Sequence, residues 1–511
     1  MEENNAVIPR SDIPTYHPVP EKHYTMAETV LSVIAIVLGY LSLHTFFSGF
    51  GIGLALSLLG LCIAPFIYFN HSTVRMSGAS YFWLAVTLLL TISVALYESK
   101  GIQYIKLFAL VICGIFWIYT ATAEKSVGKI RSAFFGDLLD ALVVRPFSSF
   151  EIAPESIAYS IRKKGKSKSI LYFIIGLAIA VPITFIVGAL LMSADRTFAS
   201  LFSSLFSNIL DHFATFVWQF GFSIPLAFYL AGMWLSGTRD KKRNSDAIRD
   251  NHTRFCQKCR RLPGIAAFTA LTPLCLLYVL FFFSQSGYYF SAFQNLLPEG
   301  FSYAEYARQG FFELCTVAMI NFALLVALWL FIKRKDSKPS LLLRLYASFL
   351  SVATLLLIAT ALRKMILYIQ SYGLTPRRIY CSSFMIMLAV VFLFILIRQW
   401  ADRFPIIRCS VIALCLCTTA LCFTNMDVQI ARYNVQAYQQ GNIKEMDFSV
   451  LYCLSYDTAA EVIPLLDDKD EQVRDLAQIY LKDARQQYAK KPLSTRTIYS
   501  YMAENKIMQS Q

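Results

Sequence analysis

Residues 311–332 read FFELCTVAMINFALLVALWLFI, and Glu313 is the only charged residue in this stretch. A helix of about 20 mainly apolar residues can cross the hydrocarbon core of a bilayer, which is about 30 Å thick. Ten other stretches have the same character, so the sequence predicts an all-α, polytopic membrane protein with eleven transmembrane helices. The eleven predicted spans are residues 27–47, 50–69, 79–97, 101–121, 170–192, 214–235, 264–285, 311–332, 346–369, 379–397 and 407–424.

The composition of the chain agrees with a membrane protein. Of the 511 residues, 56% are hydrophobic and only 16% are charged, whereas soluble domains average about 25% charged residues. The net charge of +14 could indicate nucleic-acid binding, but Lys and Arg concentrate in short loops between the apolar stretches. Because this distribution is typical of membrane topology, we expect membrane lipids and no nucleic acid as partners.

The distribution of Lys and Arg also predicts the orientation, because cytoplasmic loops carry the excess of these residues. With the N-terminus inside, the cytoplasmic segments hold 29 Lys and Arg and the opposite loops hold 5. The expected parts are a cytoplasmic N-terminal tail (1–26), a four-helix membrane part (27–121), a cytoplasmic amphipathic connection (122–169), a seven-helix membrane domain (170–424) and an extracytoplasmic helical domain (425–511).

Two amphipathic segments are predicted to lie at the membrane surface. In the connection, Ile130, Phe134, Leu138 and Leu142 follow helical spacing, with Asp140 on the far side of the helix. This pattern indicates an interfacial helix, and a docking helix for a cytoplasmic partner is the alternative. Residues 197–212 are expected to form a second surface helix, which closes the outer mouth of spans 5 and 6.

The C-terminal part is charged and has helical periodicity, so we expect almost no strand in it. Residues 461–481 resemble one HEAT-type helical hairpin. A single unit of this type cannot bury its own apolar face. A small helical domain that packs on itself or on the membrane domain is therefore predicted.

Four motifs resemble a known family. They are SADRTF (193–198), YARQGFFEL (306–314), LYIQSYGLTPRR (367–378) and NMDVQIARYN (425–434). In this order they resemble the bacterial polytopic membrane proteins catalogued as domain of unknown function 4173, which is related to domain 4153. The resemblance covers residues 125–470. It implies a multi-pass protein of the bacterial cytoplasmic membrane and implies no activity.

Several charged residues are predicted near the outer ends of the spans, where burial against lipid is costly and a protein interior or a watery cavity is favoured. Surplus cations there would suit an anionic ligand such as a lipid phosphate, a carboxylate or a peptide C-terminus. The alternative is that the long side chains reach water along their own stems. The candidate ligand-binding residues are Asp195, Arg308, Glu313, Arg363, Lys364 and Lys106. Within them, Glu313 is expected within salt-bridge reach of Arg308, Arg363 or Lys364, and Arg363 is the preferred partner.

Two other polar features have simpler interpretations. Asn321, in the middle of span 8, is expected to form an interhelical hydrogen bond. His252, Cys256 and Cys259 resemble half of a zinc site, but a second pair of ligands is missing nearby. We therefore predict no metal and no cofactor. Most of the other cysteines lie inside apolar stretches, which predicts no disulfides.

Three classes of function remain open from the sequence. The preferred hypothesis is a protein that binds, and in one version transports, an anionic ligand at the outward-facing polar site. A second is an envelope sensor or assembly factor that binds a protein partner through its helical tail. A third is a membrane enzyme with a lipid-linked substrate, but the sequence lacks the common catalytic motifs, so no catalytic residue is assigned.

The predicted orientation can be tested with a reporter that is active only in the cytoplasm. Fused at Ser245, the reporter should be active, and fused after Gln511 it should be silent, because of the asymmetry of the loop charges. The reverse pattern would mean that one span is miscounted.

Overall fold

The computed structural model of the protein is almost wholly helical. The structure describes residues 23–72, 74, 76–122, 134–163, 258–293, 311–333 and 340–509, together with Arg254 and most of 176–239. For 135, 162–163, 196, 199, 201–214 and 285–293 it describes only the backbone. Among these residues it contains ten helices that are long and apolar enough to cross a membrane, which supports a polytopic helical membrane protein.

The helices that contain these ten segments are α1 (Met26–Ser48), α2 (Ile52–His71), α3 (Gly78–Leu96), α4 (Gln103–Thr122), α8 (Arg196–Arg239), α9 (Gly264–Phe293), α10 (Phe311–Phe331), α11 (Leu341–Tyr372), α12 (Pro376–Trp400) and α13 (Ile406–Phe423). Between α4 and α8 lie α5 (Phe134–Leu139), α6 (Arg145–Ser148) and α7 (Ile152–Lys163). After α13 follow α14 (Met426–Gln439), α15 (Phe448–Cys453), α16 (Ala459–Val462), α17 (Glu471–Lys490) and α18 (Ile498–Gln509).

The predicted spans agree closely with these helices, with one gap and one correction. Most of the fifth predicted span, 170–192, lies outside the described residues. Residues 197–212 are helical as predicted, but they are not a separate helix, because they form the first part of α8 and continue unbroken into the next span. No helix breaker separates the two segments, since the one proline of α8, Pro225, lies further along.

The span helices form two groups with separate cores. In the first group, α1–α4 and α8 share one apolar core, and Cys422 of α13 belongs to it. The side chains buried most deeply there include Trp83, Trp117 and Trp234. In the second group, α9–α12 share another core. Helix α13 contacts α12 of the second group and α3 and α4 of the first, so it connects the two.

The interior of the second group contains one polar network. Asn321 of α10 is fully buried; its Oδ1 accepts a hydrogen bond from the Tyr278 hydroxyl at 2.8 Å, and its Nδ2 donates to Thr354 Oγ1 at 2.9 Å. Three helices, α9, α10 and α11, are thereby joined at one point. The interpretation of Asn321 as an interhelical hydrogen-bonding residue is confirmed.

The connection before α8 packs against the spans more closely than the sequence indicated. On α7, Ser156 Oγ lies 2.9 Å from Ser32 Oγ of α1, and Ala153 is fully buried. Asp140, expected on the exposed side, is instead buried in an ion pair of 2.9 Å with Arg145. A π-helical turn over Asp140–Val144 explains the error, because it departs from the regular helical spacing on which the assignment was based.

The C-terminal domain, residues 425–509 as described, forms its own apolar core from α14 to α18. These described residues contain no strand, which confirms the predicted helical tail. Within the HEAT-like stretch, Asp470 caps α17 and Val473, Ala477 and Leu481 are buried. The first helix of the expected hairpin is only the single turn of α16, followed by a 3₁₀ segment, so the likeness to a HEAT unit is limited to α17.

Replacing Asn321 with Ala should lower the stability of the protein by about 1 kcal/mol, because it removes two interhelical hydrogen bonds, each worth about 0.6 kcal/mol in a membrane. The change can be measured as a lower Tm in detergent. Thr316→Val is a suitable control, because the Thr316 hydroxyl bonds only the Phe312 carbonyl of its own helix. Equal stability of the two variants would contradict this role of Asn321.

Candidate functional site at one end of the spans

The C-terminal domain contacts one end of the span helices, which we call the tail side. On this side lie the loop at Gly49–Gly51, the loop at 97–102, the loop at 373–375 and the junction at 424–425. Glu313, Arg363, Lys364 and Lys106 lie at this end of their helices. Arg308 lies outside the described residues, and the other five separate into three locations.

Asp195 acts as a helix cap. It is exposed, and its Oδ1 accepts hydrogen bonds from the backbone N–H of Thr197 at 2.6 Å and of Phe198 at 3.2 Å. These N–H groups, that of Phe198 first, lower the pKa of the Asp195 carboxyl below its ordinary value. The first turn of a helix has unpaired N–H donors, so this role in starting α8 needs no ligand.

Lys106 is buried away from the other candidates. It is only 3% exposed, and its Nζ donates to the Ser93 carbonyl at 3.3 Å and the Tyr97 carbonyl at 3.4 Å, both at the tail-side end of α3. The nearby acidic groups are the carboxyls of Asp427 and Asp457 in the C-terminal domain. Lys106 therefore belongs to the contact between tail and membrane domain and does not extend into water.

Glu313, Arg363 and Lys364 lie on the neighbouring helices α10 and α11. Glu313 is exposed in the first turn of α10, and its charge attracts the half-buried Lys364. The expected ion pair between Glu313 and Arg363 is not among the ion pairs of the described residues. The reason is the position of Glu313 on its helix, where Phe311 and Leu314 occupy the buried face.

A cavity of about 190 Å³ opens beside this group, between the tail-side ends of α10, α11 and α12. Most of its lining is apolar, and its polar members come from the start of α12. The lining residues are Phe311, Phe312, Met365, Tyr368, Thr375, Arg377, Arg378 and Cys381.

The two arginines of this cavity are held differently. Arg378 lies 3.9 Å from the centre of the Tyr368 ring and donates to the carbonyls of Tyr372, at 2.9 Å, and Gly373. Arg377 is exposed and makes no hydrogen bond or ion pair within the part of the chain that is described. Its guanidinium is available to a ligand. In the sequence both arginines resemble ordinary loop cations, although cations in the first turn of a helix are electrostatically unfavourable, which is a signal of a possible role.

Asp427, in the fourth motif, is the centre of the contact between tail and membrane domain. It is 1% exposed, and Ser99 Oγ donates to its Oδ1 at 2.9 Å. The backbone N–H groups of Lys100, at 3.4 Å, and Ser455, at 2.8 Å, donate to its Oδ2. One carboxylate thus joins the α3–α4 loop to two segments of the tail.

Asn434, in the same motif, holds the loop between α11 and α12. Its Oδ1 accepts from the Leu374 N–H at 2.6 Å, and its Nδ2 donates to the Leu374 carbonyl at 2.9 Å. Gly373 has a φ of 76°, and a Cβ there would lie 2.6 Å from Asn434 Oδ1. The third and fourth motifs are therefore in direct contact, and this loop leads into the cavity wall at Thr375.

The glycine run at Gly49, Gly51 and Gly53 is a third attachment point. The Ile52 N–H donates to the Arg496 carbonyl at 3.0 Å, and a Cβ on Gly51 would lie 2.4 Å from the carbonyl carbon of Thr495. This attachment point was not predicted, because a glycine run before an apolar stretch indicates no partner. Its only signal is the repeated glycine, which permits close backbone approach.

A family model described as a domain of unknown function, DUF4153, matches residues 53–465, which is more than half of the chain. The chain belongs to the DUF4153 family. No curated protein and no solved structure matches it significantly. The DUF4153 match starts within α2 and so extends further towards the N-terminus than the predicted resemblance, which covered residues 125–470. The closer likeness to domain 4173 stays a prediction.

Replacing Gly51 with Ala should detach the tail at this point, because the new Cβ has no room against the Thr495 backbone. Hydrogen exchange of residues 492–500 should increase in the purified protein. Gly78→Ala is the matched control, since a Cβ at Gly78 would meet no atom within 4 Å. The assignment would be wrong if the two variants showed the same exchange.

Proposed function

We propose that this protein binds an anionic amphiphile, a lipid-like molecule with a phosphate or carboxylate head, from the leaflet on the tail side. The observation that carries the proposal is the cavity between α10, α11 and α12, in which an unengaged Arg377 stands beside a mainly apolar lining.

The charges around the cavity favour an anion. Arg377 and Arg378 both line it, and Lys364 lies one helical turn from the lining residue Tyr368. The N-terminus of α12 adds the partial positive charge of a helix start. Glu313 offsets only part of this charge. The oxygens of an anionic head would accept charge-assisted hydrogen bonds from the guanidinium of Arg377.

The lining and the volume favour an amphiphile over a small polar anion. Phe311, Phe312 and Met365 offer apolar and aromatic contacts next to the arginines. A volume of about 190 Å³ is below the roughly 300–1,000 Å³ of pockets that enclose a whole drug-sized ligand. A head group and the start of its chain fit, and the remaining chain extends along the span helices into the bilayer.

The loop charges support an orientation with the tail side outside, and the resemblance to bacterial membrane proteins suggests the cytoplasmic membrane as the setting. The ligand would then come from the outer leaflet.

Dioctanoyl phosphatidic acid should bind the purified protein in zwitterionic nanodiscs, while dioctanoyl phosphatidylcholine and inorganic phosphate should bind much more weakly. Arg377→Gln should weaken the binding about tenfold or more, since a hydrogen bond to a charged group is worth about 1.5–3 kcal/mol. Native mass spectrometry and the ligand-induced rise in Tm both report this change.

Arg403→Gln is the control, because Arg403 is an exposed cation at the opposite end of the spans. Inorganic phosphate as the better ligand would indicate a free anion in place of a lipid. Equal binding by wild type and Arg377→Gln would refute the proposed site.

A further inference from the structure

Three carboxyl groups meet in the contact between the tail and the first group of spans. Asp427 is on α14, Asp457 is in the 3₁₀ turn before α16, and Glu98 is in the loop between α3 and α4. Asp427 and Asp457 are each 1% exposed. Since burial of unpaired charge is costly, each group needs donors, a cation or a proton.

Two of the three carboxylates have such partners. Asp427 accepts three hydrogen bonds, from Ser99, Lys100 and Ser455. Glu98 forms an ion pair with Lys491, at the end of α17. Asp427 thus has the donors, and Glu98 the cation, that stabilise an ionised carboxylate.

Asp457 has few hydrogen-bond donors around its carboxyl group. Its Oδ2 accepts one hydrogen bond of 3.4 Å from Thr497 Oγ1, and its Oδ1 has no protein partner in the described part of the chain. The Glu98 backbone N–H also faces the carboxyl group. A buried carboxyl with so few donors is best satisfied when it is protonated.

The surrounding charges also favour the protonated form of Asp457. Glu98 and Asp427 face Asp457 with negative charge, whereas Lys491 and Lys106 face it with positive charge. An ionised Asp457 makes this group net negative, and a protonated Asp457 makes it neutral. The other titratable neighbours are the phenols of Tyr488 and Tyr499, which are neutral in this range.

We propose that Asp457 is a proton-binding site at the interface between the tail and the membrane domain, and that the tail docks most tightly when the proton is bound. Burial, followed by the negative charge of Glu98, raises the pKa of Asp457 to about 7. This site is independent of the anion cavity, which lies on other helices.

The direction of the pH effect follows from proton linkage. In the docked state Asp457 holds its proton up to about pH 7, whereas an exposed carboxyl loses it near 3.8. The stabilisation of the docked state is complete below the lower value, falls as the pH rises through this interval, and is lost above pH 7. Docking should therefore be tighter at pH 5.5 than at pH 8.

The test uses the full-length protein in nanodiscs, with hydrogen exchange of residues 97–102 and 492–500, corrected for intrinsic rates, and Tm followed from pH 5 to 8.5. Wild type should exchange faster and melt lower as the pH rises. Asp457→Asn, which imitates the neutral carboxyl, should flatten this dependence and protect both segments at pH 8. Asp475→Asn, at an exposed position on α17, should behave as wild type.

A second variant keeps the proposal testable if Asp457→Asn does not fold. Glu98→Gln removes a negative neighbour and frees Lys491, so the midpoint of the wild-type pH dependence should move to lower pH. An unchanged midpoint, or an Asp457→Asn protein that keeps the wild-type pH dependence, would overturn the assignment.

Discussion

The arrangement of the tail side depends on the buried carboxylate of Asp427. Its two oxygens accept donors from the α3–α4 loop and from Ser455, so segments from distant parts of the chain meet at one charge. A carboxylate buried to this extent is tolerated only with such a set of hydrogen bonds. The position of the whole C-terminal domain relative to α3 and α4 is therefore fixed by electrostatics as much as by apolar packing.

The same domain also holds the two groups of span helices together. Thr495 and Arg496 contact the first group at Gly51 and Ile52, and Asn434 contacts the second group at Leu374. Helix α13 also touches both groups, and Tyr380 of α12 packs against the core of the first group. The third and fourth motifs, residues 367–378 and 425–434, therefore have a structural role. Their residues form this connection and the adjoining wall of the cavity.

The sequence predicted the features that depend on local properties of the chain. The length of an apolar stretch is such a property, and ten of the predicted spans correspond to long helices. The position of a charged residue along a span can also be predicted from the sequence. Lys106 and Glu313 both lie near the tail side, as expected. The direction in which a side chain points depends on its neighbours, so the sequence could not separate buried Lys106 from exposed Glu313. Asp140 shows the same limit, because a single π-helical turn altered its environment.

The attachment of the Leu493–Thr495 segment to Gly51 has a consequence for biosynthesis. These two parts of the chain are separated by more than 440 residues, so the contact forms only after nearly the entire polypeptide has left the ribosome. Contacts between such distant segments form late, because a long loop must be closed first. The first helical hairpin, α1 and α2, therefore enters the bilayer with its connecting loop still uncovered. Synthesis of the tail is then the event that covers it, and a chain that stops before the tail leaves this glycine backbone open to proteases and chaperones.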